Sequence, residues 1–455
     1  MKKLISLYAL IACAQILHPE VCLNPAFDPQ NWPGPVPEAI QRSVKPLQLE
    51  LESAMLQEDA DGIDAIISEM EAALGDWVGV PEVKPQYGLP IDSSLPDLNH
   101  VEKLWLESYE KLIVKMNSLW SDPKRQEREG DAPRLRISLR LARAFLQSYE
   151  AQLENSHSYG EAGKKGMDFL VTQQTSNGAF GYPVYEGGQQ RLQLIVAEVL
   201  KKGRSLELDM TEKGYLINDL GDGGLNFDHG VVGCGLVYAY WISGDERYLN
   251  SAIRAGEWVF SRNDVRTQNF NYNCFSGQLM ARLYRATGEV RYLDEARNLF
   301  EFGVLPGLME NGRWIDPHNA RIQYHSVMLR SMFEYYLALQ DAGDCRNANK
   351  VKNALVLGLD NLALQITTFG ASNVHELLSI DPLVYGLMLL DPKDSWEAAV
   401  NININYLVDY FMPKLEKNGF PMTESVGTYL LYRMSKMEDE LPLELRLGMF
   451  KPDNQ

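Results

Sequence analysis

Histidine is scarce in this chain, seven residues in 455, and cysteine scarcer at five. The cysteines form no CxxC pair and no zinc-type spacing, which leaves no basis for a metal knuckle or a disulfide-stapled fold; small buried thiols are expected instead. Positive charge is also short, 43 Lys and Arg against 61 Asp and Glu, for a net charge of −18. That excludes a sequence-independent grip on nucleic acid or on an anionic membrane, which would need clustered Lys and Arg. An acidic ligand would have to be met by a local basic pocket within an acidic body. Almost no alternating β pattern is present. The polar loops contain no HExxH, HxH or DxD metal spacing, and neither a GxxxxGK phosphate loop nor a GxSxG elbow occurs.

What is present begins with "MKKLISLYALIACAQ", which has the order of an export signal: two lysines, an apolar run from Leu4 to Ala12, then small residues. The run is too short to span a bilayer. Ala12-Cys13-Ala14 fits cleavage after residue 14, while Leu10-Ile11-Ala12-Cys13 fits a lipoprotein signal ending before Cys13. Export to the periplasm, the medium or a lipid-anchored position on a bacterial outer membrane is expected, with no other membrane contact. Residues 15–100 form a proline-rich linker and an accessory helical segment whose apolar residues recur at helical spacing from Glu38 to about Trp77, followed by the proline-rich stretch "VGVPEVKPQYGLPIDSSLPDLNH".

From residue 101 to 440 nearly every periodic stretch is helical: 103–120, 133–154, 160–174, 189–202, 229–243, 247–262, 272–287, 291–304, 319–342, 347–368, 375–390, 395–412 and 424–436; residues 441–455 remain as a tail. An internal repeat organises them. "YAYWISGDERYLNSAIRAGEWVF" (238–260) aligns with "RLYRATGEVRYLDEARNLFEF" (282–302) at an offset of 44, pairing Gly244 with Gly288, Arg247-Tyr248-Leu249 with Arg291-Tyr292-Leu293, and Ala252 with Ala296. Each unit reads as helix, glycine-closed turn, helix. Six or seven such hairpins predict an all-α (α/α) toroid, the apolar glycine-bearing helices inside and the one-sidedly charged ones outside. An open helical solenoid shares this local pattern.

In a toroid the longer loops, from each outer helix to the next inner one, gather at one mouth, so polar residues at the starts of inner helices converge. "HNARIQYHS" (318–326) is the densest such cluster, and "GDGGLNFDHG", "RTQNFNYNC", "NVHELLSIDP" and the loop 172–188 join it. Four of the seven histidines, His229, His318, His325 and His375, fall in this set. Taken singly, each member also has a plain structural reading: His229 in a helix cap, Asn271 and Asn273 satisfying loop backbone, Arg321 paired with Asp316.

Together, the Asn, His, Arg and Tyr of these loops give a chain that resembles the α/α-toroid polysaccharide lyases acting on uronic-acid polymers such as alginate and glucuronan. The resemblance implies β-elimination without a cofactor or metal: a cationic or amide side chain neutralises the uronate carboxylate, a Tyr or His takes the C5 proton, and a Tyr protonates the leaving oxygen. It carries over onto Arg321 and Asn273 as neutralisers, Tyr324 as the proton-transfer tyrosine, and His229 or His325 as partner base. His318, Asn319, Asn271, Tyr272, Trp314, Tyr182 and His375 would bind an acidic polysaccharide, and the protein would act as a monomer. Two alternatives remain open. A glycoside hydrolase would use two carboxylates from Asp222, Asp228, Asp316, Glu376 and Asp381. A non-catalytic glycan-binding lipoprotein would stack sugars on Trp314, Tyr182, Tyr185, Phe227 and Tyr272.

Overall fold

A computed structural model describes residues 36–82, 91–121, 135–150, 156–180, 182–183, 215–216, 224–261, 267–371, 374–411 and 424–437. The expected helix at 189–202, Cys22 and the signal segment lie outside these residues. The N-terminal helical stretch is broken in two by a local device. Helix α1 (Glu38–Gln57) ends on Glu58, whose φ of 58° is left-handed; the Asp59 carboxylate then accepts the Gly62 N–H at 3.0 Å and starts α2 (Ala60–Leu74).

Next come α3 (Leu98–Ser121), α4 (Leu135–Glu150), α5 (Ser156–Gln173), α6 (Gly224–Ser243), α7 (Glu246–Phe260), α8 (Phe270–Thr287), α9 (Val290–Gly303), α10 (Ile322–Asp341), α11 (Cys345–Phe369), α12 (Ile380–Leu389), α13 (Asp394–Tyr406) and α14 (Glu424–Met437). The described β structure is one two-residue antiparallel pair, Tyr182–Pro183 with Tyr215–Leu216. No helix among the described residues is long and apolar enough to cross a membrane.

Helices α4, α6, α8, α10, α12 and α14 each pack on the next, and α14 packs back on α4. The six close a ring, so the architecture is an (α/α) toroid and not an open solenoid. Helices α5, α7, α9, α11 and α13 lie outside, and α3 takes the sixth outer place against α5 and α14. Burial follows position: α10 is buried without a break from His325 to Leu339, whereas α9 buries only one stripe, Tyr292, Leu293, Ala296, Leu299, Phe300 and Gly303.

The repeat accounts for the turns. Gly244 and Gly288, with φ of 69° and 76°, donate their N–H groups to Tyr240 and Tyr284 at 2.7 Å, ending the inner helices α6 and α8. Beyond each turn the repeated tyrosine reaches an acid on the preceding outer helix: Tyr248 to Asp168 at 3.0 Å and Tyr292 to Glu257 at 3.1 Å. The repeat is therefore also the joint between neighbouring outer helices.

Deep in the ring the inner helices meet through charge. Arg282 on α8 pairs with Glu334 on α10, and Arg330 on α10 pairs with Asp381 on α12 at 3.1 Å. Arg143 on α4 donates to the Tyr385 hydroxyl on α12 at 3.3 Å. Because α4 and α12 are not ring neighbours, this last bond crosses the interior. Such buried pairs add little net stability, but losing one partner strands the other.

The segment before the ring lies along its mouth. Helix α2 packs on the 3₁₀ turn Leu305–Gly307, and Gln268 N–H donates to Glu52 at 3.2 Å. The Gly79 and Glu82 N–H groups donate to the carbonyls of Ile315 and Pro317 at 2.8 and 3.0 Å. Asn401 and Asn405, toward the end of α13, hold the carbonyls of Ser93, Asp92 and Ser94 at 2.9 to 3.3 Å. This strap spans the loops of several hairpins on the face where inner helices begin.

Three sequence expectations change. The helix expected from 319 starts at Ile322, because the Asp316 carboxylate accepts the N–H groups of His318 and Asn319 and holds 318–321 in a turn. The helix expected from 375 opens as a 3₁₀ segment, Val374–Ser379. Cys234 and Cys274 are buried, but Cys345, at the start of α11, is exposed.

Candidate active site

The start of α10 assembles the site. Asp316 is buried in the connection before it, and burial raises its carboxyl above the usual range. Besides the two turn N–H groups, it accepts the Asn319 side-chain amide at 2.8 Å. The Asn319 Oδ1 in turn accepts from Asn271 Nδ2 on the neighbouring inner helix at 2.8 Å. Asn271 and Asn319 are both buried, so this ladder forms the floor that fixes the 316–321 turn.

On that floor His318, Arg321 and Tyr324 come together. The imidazole of His318 stacks on the Tyr324 ring at 4.4 Å and 26°. The Arg321 guanidinium sits 5.8 Å from the same ring. Spacing explains this meeting: Arg321 ends the turn, and Tyr324 is in the first turn of the helix on the same side. All three side chains keep part of their surface in solvent.

A fourth member comes from the strap. The Glu82 carboxylate pairs with Arg321 Nη2 and lies 3.0 Å from His318 Nδ1. The hydrogen bond with His318, and then the Arg321 charge, hold the Glu82 carboxyl below its ordinary value against the opposing effect of burial. Arg321 is thus paired with Glu82 and not with Asp316. Sequence reasoning missed Glu82, which is one acid in a proline-rich connector and 236 positions from its histidine.

Other expected members are placed elsewhere. His229 is fully enclosed: its Nε2 accepts the Phe180 N–H at 2.9 Å and its ring lies 3.7 Å over Trp258. Asn273 clips its own loop, accepting from the Thr267 N–H at 2.8 Å and donating to the carbonyls of Thr267 and Gly303 at 2.8 and 2.6 Å. His325 and Trp314 are fully buried and meet edge to face at 6.3 Å. Burial, followed by the nearby Arg313 charge, pushes the His325 imidazole down to about 3. Among the described residues these four stand apart from the Arg321 cluster: His229 and Asn273 have polar groups engaged with backbone, and His325 and Trp314 are fully buried. Tyr272 is partly exposed at the start of α8. The side chains of Tyr182, His375 and Glu376 lie outside the described residues, as do Tyr185 and Asp222.

The carboxylates of the hydrolase alternative are also placed. Asp316 is spent on its turn, and Asp381 is fully buried against Arg330. Asp228 is buried as well. Among the described residues no group of three His, Cys, Asp or Glu side chains is arranged to hold a metal ion.

No protein family and no curated protein matches this sequence. Solved structures similar to it include carbohydrate-active enzymes. One is a polysaccharide lyase at 14% identity and a TM-score of 0.33, over 52% of this chain and 34% of that one, so the chain spans about a third of the lyase's length. The unsaturated glucuronyl hydrolase from Streptococcus agalactiae aligns at 12% identity and a TM-score of 0.41, over 82% of this chain and 99% of that one. The cellobiose 2-epimerase from Spirochaeta thermophila aligns at 10% identity and a TM-score of 0.43, over 66% and 86%.

Proposed function

We propose that this toroid is a polysaccharide lyase that cleaves a uronic-acid polymer by β-elimination at the Arg321, His318 and Tyr324 cluster. One observation carries the reading: the Arg321 and His318 pair already holds a carboxylate, that of Glu82, directly beside a tyrosine at the mouth. Carboxylate recognition and a proton-transfer group are the two things the reaction needs in one place.

Arg321 offers five N–H donors in a planar fork. Glu82 is met at Nη2, and the remaining Nη donors serve the substrate carboxylate. Neutralising it stabilises the charge that develops when the C5 proton leaves. His318 takes the base role that the sequence suggested for His229 or His325, since its Nε2 has no partner among the described residues while Nδ1 is engaged. The C5–H electrons form the C4–C5 double bond, the C4–O bond breaks, and the leaving oxygen takes a proton from the Tyr324 hydroxyl.

The test is the near-ultraviolet absorbance of the conjugated uronate during incubation with alginate, glucuronan, pectate and glycosaminoglycans. A rise on one of these polymers is expected, and Tyr324→Phe should lower its rate about a hundredfold or more with the thermal unfolding curve unchanged. New reducing ends without absorbance would replace the reading with hydrolysis; binding without either product would replace it with a glycan-binding role.

A further inference from the structure

The accessory segment contributes to the site. We infer that Glu82, carried on the strap, is a positioning residue that fixes His318 in the tautomer with its proton on Nδ1, so that Nε2 is the open base. The inference rests on the proposed elimination for its kinetic part, but its structural part stands on geometry alone.

Two features set Glu82 apart from a surface acid that happens to fall near a histidine. Its backbone is clamped: the N–H groups of Gly79 and Glu82 bond to Ile315 and Pro317 in the connection that leads into α10. The strap therefore delivers the carboxylate in register with the turn that presents His318. The carboxylate is also held from a second side by Arg321, so it has little freedom to turn away from the imidazole. An ionised carboxylate only accepts, so the nitrogen facing it must carry hydrogen. His318 Nδ1 is that nitrogen, at 3.0 Å. The opposite nitrogen is then an acceptor, and the ring is steadied from below by Tyr324 at 4.4 Å. A carboxylate that orients a histidine in this way sets its tautomer and stabilises the cation formed when it takes a proton.

Glu82 could instead act as an internal competitor, a carboxylate parked in the substrate's seat and displaced on binding. The backbone clamp favours the positioning role, since displacement would have to break bonds that are independent of the side chain. The two ideas predict opposite kinetics.

The experiment combines nitrogen NMR of histidine-labelled protein with kinetics. The His318 signals are identified by their disappearance in His318→Asn. In the wild type at neutral pH, the neutral His318 ring should be protonated on Nδ1; in Glu82→Ala it should revert to the Nε2–H form. If the wild type already shows Nε2–H, or if Glu82→Ala leaves the tautomer unchanged, the positioning role is overturned whether or not a substrate is known. The wild-type measurement decides even if the variant fails to fold. On the polymer that the wild type cleaves, Glu82→Ala should lower kcat about a hundredfold with KM little changed. A lower KM with kcat kept or raised would overturn the inference in favour of internal competition. Absence of cleavage by the wild type would count against the elimination, while the tautomer measurement would still decide the role of Glu82.

Discussion

His318 and His325 are seven residues apart and sit in opposite surroundings. His318 stands at the turn before α10 with a carboxylate on one nitrogen and solvent on part of its ring. His325 is enclosed between Trp314 and α11, where its imidazole resists protonation until about pH 3. The sign of its effect on stability follows. Between the ordinary value of 6.5 and about 3, the unfolded chain binds a proton at this residue and the folded chain does not, so its contribution is present above pH 6.5 and is lost on acidification through that window. His325→Gln should therefore lose less stability than the wild type between pH 6.5 and 3, read as urea midpoints; equal losses would contradict this. The cluster "HNARIQYHS" was legible in sequence because density of residue types survives without a structure. Which of its members faced the mouth was not. Arg321 and Tyr324 share a side, but the next position turns His325 into the wall, and that depends on where the helix starts. The Asp316 turn moved that start to Ile322.

At the scale of elements, the helices and their turns were readable because apolar period and turn glycine are local signals. Two glycines show what was not readable. Gly288 and Gly312 have nearly the same φ, 76° and 77°. A Cβ at Gly288 meets nothing within 4 Å, while one at Gly312 would lie 2.1 Å from the Leu357 carbonyl oxygen on α11. Gly288→Ala should cost only the left-handed backbone penalty, about 1 kcal/mol. Gly312→Ala should cost clearly more, because backbone would have to move as well; equal shifts in thermal midpoint would refute the distinction. The repeat predicted the first glycine. The second depends on a contact with an element 45 positions away, which no local pattern encodes.

For the whole molecule, the sequence suggested six or seven hairpins but could not show how they end. The structure closes the ring with its two ends: the first inner helix, α4, and the last, α14, are joined across Gln147 and Thr428 at 3.3 Å, and α3 packs on α14 as well. The full protein should unfold in a single cooperative transition and a chain ending at Phe411 should not, because α4 and α12 would both be left without their neighbour. Retention of a sharp transition, shortened only by one repeat's worth of enthalpy, would instead indicate solenoid-like independence of the hairpins.

The same closure sets a timetable for synthesis. Helix α4 is complete at residue 150, but the surface it turns toward α14 has no cover until residue 424 has been made. At a translation rate of about 5–20 residues per second, this flank of the first inner helix waits roughly 14 to 55 seconds for its partner. During that interval the growing chain is an unclosed arc with two uncovered edges.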